Sequence, residues 1–352
     1  MDKTNVARDL LWPKDTNILV RIAFLYVGQG SSTIVLVADG NSYKTLLVDI
    51  NLDPKNGGID VPSLISDLVG KDGLDVFINT HPHDDHLKGI TEISRNVEIK
   101  EVWHSGHRPG RKYDACYQDL RKVIEKVKMK GKVTILEGSR EQKTFGEASY
   151  YVLAPAEYVS LDINKEDPDE RKERIHEQCA VLKFGIGSTW VMIPGDADRD
   201  AFEKYITKYH EERLGAVILA APHHGSRSFF KYEEEDEPYL GGLKAINPDY
   251  VVISAPKQEE SQHEHPHEDA IELYANQVGA DNILHSGEKR YSYICDIYRE
   301  GDYSGVEDDK GALVEAYPLQ NGDDERGGKK EAVRGPAIAV RTRVDDRPMG
   351  RM

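Results

Sequence analysis

The most informative stretch of the sequence is His81-Pro82-His83-Asp84-Asp85-His86. Four of its side chains are candidate metal ligands, namely His81, His83, Asp85 and His86. On an extended loop, His81 and His83 can point the same way and bind one ion, while Asp85 and His86 turn toward a second. A polar turn that is rich in histidine by chance is the competing interpretation. The pattern therefore predicts a metal centre built around this loop.

The sequence around this loop predicts a layered α/β domain. A short apolar strand over 74–78 ends just before the histidines, where loops commonly carry functional side chains. Apolar residues at i, i+3, i+4 and i+7 predict an amphipathic helix over 114–130. Further strands are predicted over 19–27, 32–38, 44–50, 149–154, 179–185, 189–194, 216–221, 250–254 and 290–297, and further helices over 61–70 and 267–278. This alternation of strands and helices favours an α/β fold over an all-α or all-β fold.

The bulk composition is that of an ordinary globular protein. The chain has 352 residues, of which 39% are hydrophobic and 31% charged. No apolar stretch approaches the roughly 20 residues that cross a bilayer, and the N-terminus has no apolar signal segment. Three scattered cysteines match reduced thiols better than disulfides. We therefore expect a soluble, cytoplasmic protein that has no membrane segment.

The domain boundaries are predicted from changes in composition. We expect an N-terminal extension over 1–17, one α/β domain over 18–304 that carries the 81–86 motif, and a polar tail or small appendage over 305–352. The last of these is rich in glycine and charged residues. The net charge of −16 argues against a protein whose whole surface wraps nucleic acid, although a local basic patch remains compatible with it.

The motif over 81–86 resembles the signature of the metallo-β-lactamase superfamily. In that superfamily a further histidine precedes a short hairpin that ends in Gly-Asp. This chain has His176 before such a hairpin and Asp196 at its end, about 20 residues later. The last ligand position resembles the pair His223 and His224, and the choice between the two stays open. The resemblance implies an αββα sandwich, in which two mixed β-sheets are flanked by helices.

Further motifs resemble one branch of this superfamily. Over about residues 18–300 the chain is similar to the metallo-hydrolase domain of ComEC-type DNA-uptake proteins and their stand-alone relatives. Phosphorylcholine esterases are also similar. The motifs are Val27-Gly28-Gln29-Gly30-Ser31, Asp49, His223-His224-Gly225-Ser226 and His265-Pro266-His267. The chain departs from the ComEC pattern at His176, where asparagine is common, and after Asp49, where a glycine is usual. The histidine implies a fuller metal complement.

The resemblance implies two divalent metal ions, with zinc favoured and manganese or iron as alternatives. Asp196 is expected to bridge the two ions. The first ion is assigned to His81, His83 and His176, and the second to Asp85, His86 and one of His223 and His224.

A metal-dependent hydrolase acting on ester bonds follows from this ligand set, with a phosphodiesterase or nuclease as the expected activity. Two ions held by these ligands would supply Lewis acidity and would activate a water molecule for attack on the ester. We predict Asp85, His224, His265 and His267 as catalytic residues, the histidines as proton donors to the leaving group. Ser226 and Arg227 are predicted to bind phosphate, with loop capping as the alternative. Hydrolysis of a phosphocholine ester or a thioester, or a non-catalytic binding module, are the alternative functions.

A basic segment over 108–132 suggests single-stranded nucleic acid as the substrate. Between residues 104 and 135 there are nine basic and three acidic residues. Lys122, Lys126 and Lys130 share one stripe of the predicted helix and are predicted to contact the substrate. Tyr113 and Tyr117 lie among them and could stack on bases. A solvated helix face is the alternative, and the acidic run over 233–237 counts against a long polynucleotide.

Overall fold

In a computed structural model, residues 3–110 and 114–320 are described, and they form two β-sheets that face each other. The first has eight strands in the order β15-β14-β1-β2-β3-β4-β5-β6. They are β1 (Ile18–Phe24), β2 (Thr33–Asp39), β3 (Ser42–Val48), β4 (Leu74–Asn79), β5 (Ile99–His104), β6 (Lys132–Ile135), β14 (Tyr293–Tyr298) and β15 (Glu307–Asp308). The second has seven strands in the order β13-β12-β11-β10-β9-β8-β7. They are β7 (Lys143–Phe145), β8 (Ala148–Ala154), β9 (Val181–Ile186), β10 (Thr189–Ile193), β11 (Ile218–Ala220), β12 (Tyr250–Ile253) and β13 (Ile283–His285).

Both sheets are mixed. In the first sheet β15, β14, β1, β2 and β3 pair antiparallel, and β4, β5 and β6 continue parallel to β3. In the second sheet β7 to β10 pair antiparallel, and β11, β12 and β13 continue parallel to β10. The carboxyl ends of the parallel strands supply the loops on which the candidate site is built.

Helices cover the outer face of each sheet. They are α1 (Lys3–Leu11), α2 (Val61–Val69), α3 (Asp84–Leu87), α4 (Ile90–Asn96), α5 (Asp114–Lys128), α6 (Glu157–Ile163), α7 (Pro168–Glu173), α8 (Thr207–His210), α9 (Gly241–Ile246), α10 (Glu268–Val278), α11 (Ser286–Lys289) and α12 (Ala312–Ala316). α1, α2, α4 and α5 pack on the first sheet, and α9 and α10 pack on the second. This arrangement confirms the predicted αββα sandwich. Among the described helices, none is long and apolar enough to cross a bilayer.

Alternation along the strands builds the apolar cores. In β2, Ile34 and Leu36 point to the helices, whereas Val35 and Val37 point into the space between the sheets. Such two-residue periodicity is inherent to the pleated strand. Truncating one of these buried side chains, for example Leu36→Ala, is expected to lower the free energy of unfolding by about 2–5 kcal/mol.

The compact unit extends beyond the predicted boundaries at residues 17 and 304. Helix α1 buries Ala7 and Leu11 in the core beneath the first sheet, and α12 buries Leu313 there. The hydroxyl of Tyr317 donates to Asp67 in α2 at 2.9 Å. The unit therefore continues through Gln320. The rest of the predicted tail, 321–352, lies outside the described residues.

Candidate metal centre

The strand ends deliver the predicted ligands to one edge of the sandwich. His81 and His83 follow β4, and α3 then carries Asp85 and His86. Asp196 follows β10, directly after Gly195. This glycine has φ 55°, and a Cβ at its position would lie 2.8 Å from the side chain of Thr80. Glycine therefore allows the Asp196 loop of one sheet to approach the histidine loop of the other.

Two further turns complete the set. A 3₁₀ turn over Ile175–Gln178 carries His176 just before β9. Another, over Pro222–Gly225, carries His223 and His224 after β11. Both of these histidines have positive φ, 49° and 57°, so the backbone turns sharply and sends their two rings in different directions.

The described residues contain two groups of potential ligand atoms. Within each group, all of the ligand atoms lie within 4.8 Å of one another. We call His81, His83 and His176 the three-histidine group. Asp85, His86 and His224 form the aspartate group. Asp196 belongs to both.

Asp196 directs one oxygen to each group. Its Oδ2 lies 3.4 Å from Nε2 of His81, whereas its Oδ1 lies 3.0 Å from Nε2 of His86 and 3.5 Å from Nε2 of His224. Burial favours the neutral acid, but the neighbouring histidines, His86 and His224 above all, outweigh it and hold the pKa of Asp196 well below its usual value. The carboxylate is therefore ionised in the form that metal binding requires.

Partners on the far side of two rings orient them toward Asp196. Nδ1 of His86 lies 2.7 Å from Oδ2 of Asp49, a buried residue that also accepts hydrogen bonds from the backbone and hydroxyl of Thr80 at 2.8 and 2.5 Å. Nδ1 of His224 lies 3.0 Å from the carbonyl oxygen of Ser254. Such contacts leave Nε2 of each ring for an ion, as is usual for metal-binding histidines.

The residues fit divalent ions. Within the described ranges, the buried Nε2 atom of His176 has no hydrogen-bond partner, and that of His81 has only the long contact with Oδ2 of Asp196 at 3.4 Å. A buried polar atom that lacks a partner lowers stability, and an ion at this position would satisfy both nitrogens. Imidazole and carboxylate ligands together suit zinc, manganese or iron.

The two groups differ in the direction in which their surroundings shift the pKa values of the histidines. Burial lowers the pKa of His81 and, more strongly, that of His83, and neighbouring histidines add to the effect. Burial also acts on His86 and His224, but nearby carboxylates outweigh it and raise the pKa of both, well above the usual value for His86. The surroundings therefore favour the neutral form of His81 and His83 and the protonated form of His86 and His224.

An open cleft of about 570 Å³ lies over both groups. Its walls are mostly polar. They comprise Gln29, Asn51, Leu52, Asp53, Asn56, His83, Asp84, Asp85, Lys88, His176, Asp196, His223, Gln262, His263 and His265. Gln29, Lys88 and His263 were not predicted as site residues, although the glycines on both sides of Gln29 already indicated a special turn.

The pair His223 and His224 divides between two positions. His224 is buried in the aspartate group, with Nε2 3.4 Å from Oδ2 of Asp85. His223 lines the cleft, its Nε2 3.7 Å from Oδ2 of Asp196 and its Nδ1 2.9 Å from the hydroxyl of Ser228. The geometry therefore favours His224 as the ligand and leaves His223, rather than the predicted His224, facing the cleft.

Of the other predicted catalytic histidines, the structure brings His265 to the cleft but not His267. His265 is buried in the cleft wall, and its ring centroid lies 5.0 Å from that of His223. Burial, with His224 nearby, lowers its pKa to about 3. Nδ1 of His267 instead accepts a hydrogen bond from the backbone N–H of Arg227 at 3.2 Å, which fixes the loop.

The predicted phosphate ligands Ser226 and Arg227 have structural partners. The hydroxyl of Ser226 accepts a hydrogen bond from the backbone N–H of Ser228 at 3.2 Å and caps a short 3₁₀ turn. The guanidinium of Arg227 pairs with Asp269 at 3.3 Å. Neither residue lines the cleft, so the capping alternative describes them better.

The predicted lysine stripe is not brought to the site. Helix α5 begins near α3, where Cys116 donates to Asp84, and then extends roughly 20 Å away from the cleft. Lys126 donates to the carbonyl oxygen of Ser94, Lys122 pairs with Asp119 at 2.8 Å, and Lys130 follows the far end of the helix. Arg111, Lys112 and Tyr113 of the basic segment lie outside the described residues. The acidic run over 233–237 does not line the cleft either.

Comparisons with known proteins describe the fold. No protein-family model and no curated protein matches this chain. The solved structures similar to it include the metallo-β-lactamase fold protein YhfI from Bacillus subtilis, with 15% identity over 75% of this chain and 95% of that one, at a TM-score of 0.40. Zn²⁺-bound PqqB from Methylobacterium extorquens is 11% identical over 75% of this chain and 96% of that one, at a TM-score of 0.41.

At these identities the similarity concerns the arrangement of sheets and helices alone. The chain's own two mixed sheets with helices on their outer faces define the αββα arrangement. The His/Asp groups at its edge are of the kind found in metal-dependent hydrolases.

Proposed function

We propose that this protein is a dinuclear metal-dependent hydrolase of phosphate esters, phosphodiesters in particular. The observation that carries the proposal is the position of Asp196, which has one oxygen toward the three-histidine group and the other toward the aspartate group. A carboxylate shared in this way is what a two-ion centre needs.

The residues of the chain would hold and tune the two ions. When bound, the ions supply Lewis acidity at the scissile bond and lower the pKa of a water molecule. Asp49 and the carbonyl of Ser254 keep the rings of His86 and His224 in the orientation that binds. Asp85 and Asp196 contribute the negative charge that favours divalent ions.

The cleft supports an anionic ester as the substrate. It is open, its lining offers several amide side chains, and Lys88 adds a positive charge at the wall. We propose His223 and His265 as hydrogen-bonding partners of the bound ester. Burial lowers the pKa of His265 to about 3, which favours the neutral ring and a hydrogen-bonding role over that of a proton donor to the leaving group.

A phosphocholine ester is the second candidate, because Asp53 and Asp84 also line the cleft and carry charges that attract a quaternary ammonium group. The same centre would cleave either ester. A polynucleotide substrate would have Lys88, rather than the α5 lysines, as its nearest basic contact.

The proposal is tested by measuring metal content and hydrolysis on the same preparation. We expect two divalent ions per chain by plasma mass spectrometry, and turnover of bis-p-nitrophenyl phosphate. Parallel assays use p-nitrophenyl phosphorylcholine, single- and double-stranded DNA and RNA, and a thioester. A protein that binds two ions but hydrolyses only the thioester would be a thioester hydrolase, and the phosphate-ester proposal would be wrong. A protein that binds no metal and hydrolyses none of these would be a binding module.

A further inference from the structure

Gln29 lies in the turn between β1 and β2, and three of its four polar atoms have partners. Its backbone N–H donates to Oδ2 of Asp53 at 3.0 Å, and its backbone oxygen accepts from the side chain of Asn51. Its Oε1 accepts a hydrogen bond from the hydroxyl of Ser261 at 2.8 Å. The fourth atom, Nε2, is buried and has no hydrogen-bond partner among the described residues.

The network around Ser261 fixes which way the amide of Gln29 points. The oxygen of the Ser261 hydroxyl already accepts from the backbone N–H groups of His263 and His265, at 3.2 and 3.1 Å. Its own proton is therefore the one that it offers to Gln29, and Gln29 must present an oxygen to it. The NH₂ group consequently lies on the other side of the amide as a donor of fixed direction.

The turn also lies against the aspartate group. Gly30 has φ 132°, and a Cβ there would lie 2.5 Å from the backbone oxygen of Asp85. The backbone N–H of Ser31 donates to that same oxygen at 3.1 Å. Glycine lets the turn approach the ligand helix α3 closely. This contact holds Gln29 in the cleft wall beside Asp85, with His265 fixed on the other side of Ser261.

We propose that Gln29 is a substrate-binding residue, whose Nε2 donates a hydrogen bond to a non-bridging phosphoryl oxygen of the ester in the cleft. The inference rests on the proposed function. A buried donor without a partner is rare because it loses its hydration and gains nothing in return. An anionic oxygen that enters the cleft supplies the strongest acceptor available to it. Ser261 acts as the positioning residue that orients the amide.

The sharpest test is Gln29→Glu. Glutamate has the size of glutamine and keeps an oxygen for Ser261, but it replaces the donor NH₂ by an oxygen that repels phosphate. We expect KM for bis-p-nitrophenyl phosphate, and Kd for inorganic phosphate measured by calorimetry on the metal-loaded protein, to rise about 10- to 100-fold. Metal content is expected to stay unchanged. Gln262→Glu makes the same charge change at an exposed position of the same cleft, so it separates loss of the buried donor from general repulsion, and its shift of both constants is expected to be at least threefold smaller than that of Gln29→Glu.

Ser261→Ala tests the positioning role. It removes the hydroxyl that orients Gln29, so KM should rise about threefold to tenfold with little change in kcat, and the effect should be smaller still when Gln29 is already alanine. Equal phosphate affinity in wild type and Gln29→Glu would overturn the inference while leaving the proposed function intact. Equal losses in Gln29→Glu and Gln262→Glu would also overturn it. Wild-type protein that holds two ions but binds no phosphate would overturn the phosphate-ester proposal and this inference together.

Discussion

The two halves of the candidate metal centre share Asp196 but prepare their histidines in opposite ways. In the three-histidine group, burial keeps His81 and His83 neutral and ready to bind. In the aspartate group, carboxylates on both sides of His86 raise its pKa, so that an ion must first displace a proton. If both groups hold ions as proposed, one position would bind its ion directly, and at the other the ion would compete with a proton.

The difference between the two groups indicates what the carboxylate of Asp49 contributes. Asp49 contacts Nδ1 of His86 and not Nε2, the nitrogen that faces Asp196. The contact with Nδ1 orients the ring and favours its protonated form. Once an ion replaces the proton on Nε2, the same contact strengthens the ring as a ligand. Asp49 therefore raises affinity for metal at high pH and for protons at low pH.

Removing the shared ligand should have the largest effect. Asp196→Ala takes a ligand from both groups, so we expect loss of both ions and a fall in phosphodiesterase activity to the background rate, measured by plasma mass spectrometry and p-nitrophenol release. Asp200→Ala, four residues along the chain at the start of the next helix and outside both ligand groups, is the control and should retain both ions. Normal metal content in Asp196→Ala would refute the shared role.

Changing one ligand of the three-histidine group should affect that half alone. His176→Asn shortens the side chain and replaces an imidazole by a weaker amide ligand. We expect the metal content to fall from about two ions to about one, and kcat to drop at least 100-fold, while the melting temperature of the metal-free protein stays the same. His263→Asn makes the same substitution at the cleft wall outside both ligand groups, and it should keep two ions. If His176→Asn kept two tightly bound ions, His176 would not be a ligand.

Asp49→Asn should weaken the aspartate group by a smaller amount. The amide keeps the shape of the carboxylate but not its charge, so the ring of His86 loses its anionic partner. Loss of such a partner typically lowers metal affinity 10- to 100-fold. Competition with a chelator should therefore show one weakened ion and one unchanged ion. Two equally weakened ions would mean that Asp49 supports the whole edge rather than His86.

The pH dependence of the two ions should differ in a defined direction. A raised pKa means that protons compete with metal as the pH falls, starting above the usual histidine value of 6.5 for His86 and His224. For His81 and His83 the competition starts below 6.5. During dialysis from pH 8 to pH 5, we expect the ion of the aspartate group to leave first. His176→Asn and Asp85→Ala, each retaining mainly one ion, allow the two losses to be followed separately.

Much of the fold could be predicted because its central strands are apolar runs bounded by turn residues. The predicted strand over 32–38 is observed as Thr33–Asp39, and the predicted helix over 114–130 as Asp114–Lys128. Strands β7 and β13 have three residues each and lie in no longer apolar run, so the sequence does not reveal them. Helix α1 was assigned to an extension, because its burial depends on a partner surface that only the folded domain supplies.

The site was predictable only where the residue types carry the information. Histidine and aspartate in the 81–86 motif indicate ligands by their chemistry alone. The choice between His223 and His224 depends instead on two consecutive left-handed backbone conformations. The direction of α5 depends on the connection from β5 to the neighbouring parallel strand β6, which returns the chain from the carboxyl end of β5 to the amino end of β6. The charge of the helix was visible in the sequence, but not which end faces the cleft.

The smallest effect is expected at the far end of α5. Lys122 and Lys130 are exposed, so Lys122→Glu with Lys130→Glu changes the charge without disturbing the core. Because both lie away from the cleft, we expect KM for single-stranded DNA to change less than twofold. Lys88→Glu, at the cleft wall, should raise this KM several-fold. The slope of the logarithm of the binding constant against the logarithm of the salt concentration should become shallower by about 0.7, the value for one phosphate contact with a single strand. The opposite result, a large effect at α5 and none at Lys88, would show that a polynucleotide follows the helix rather than the cleft.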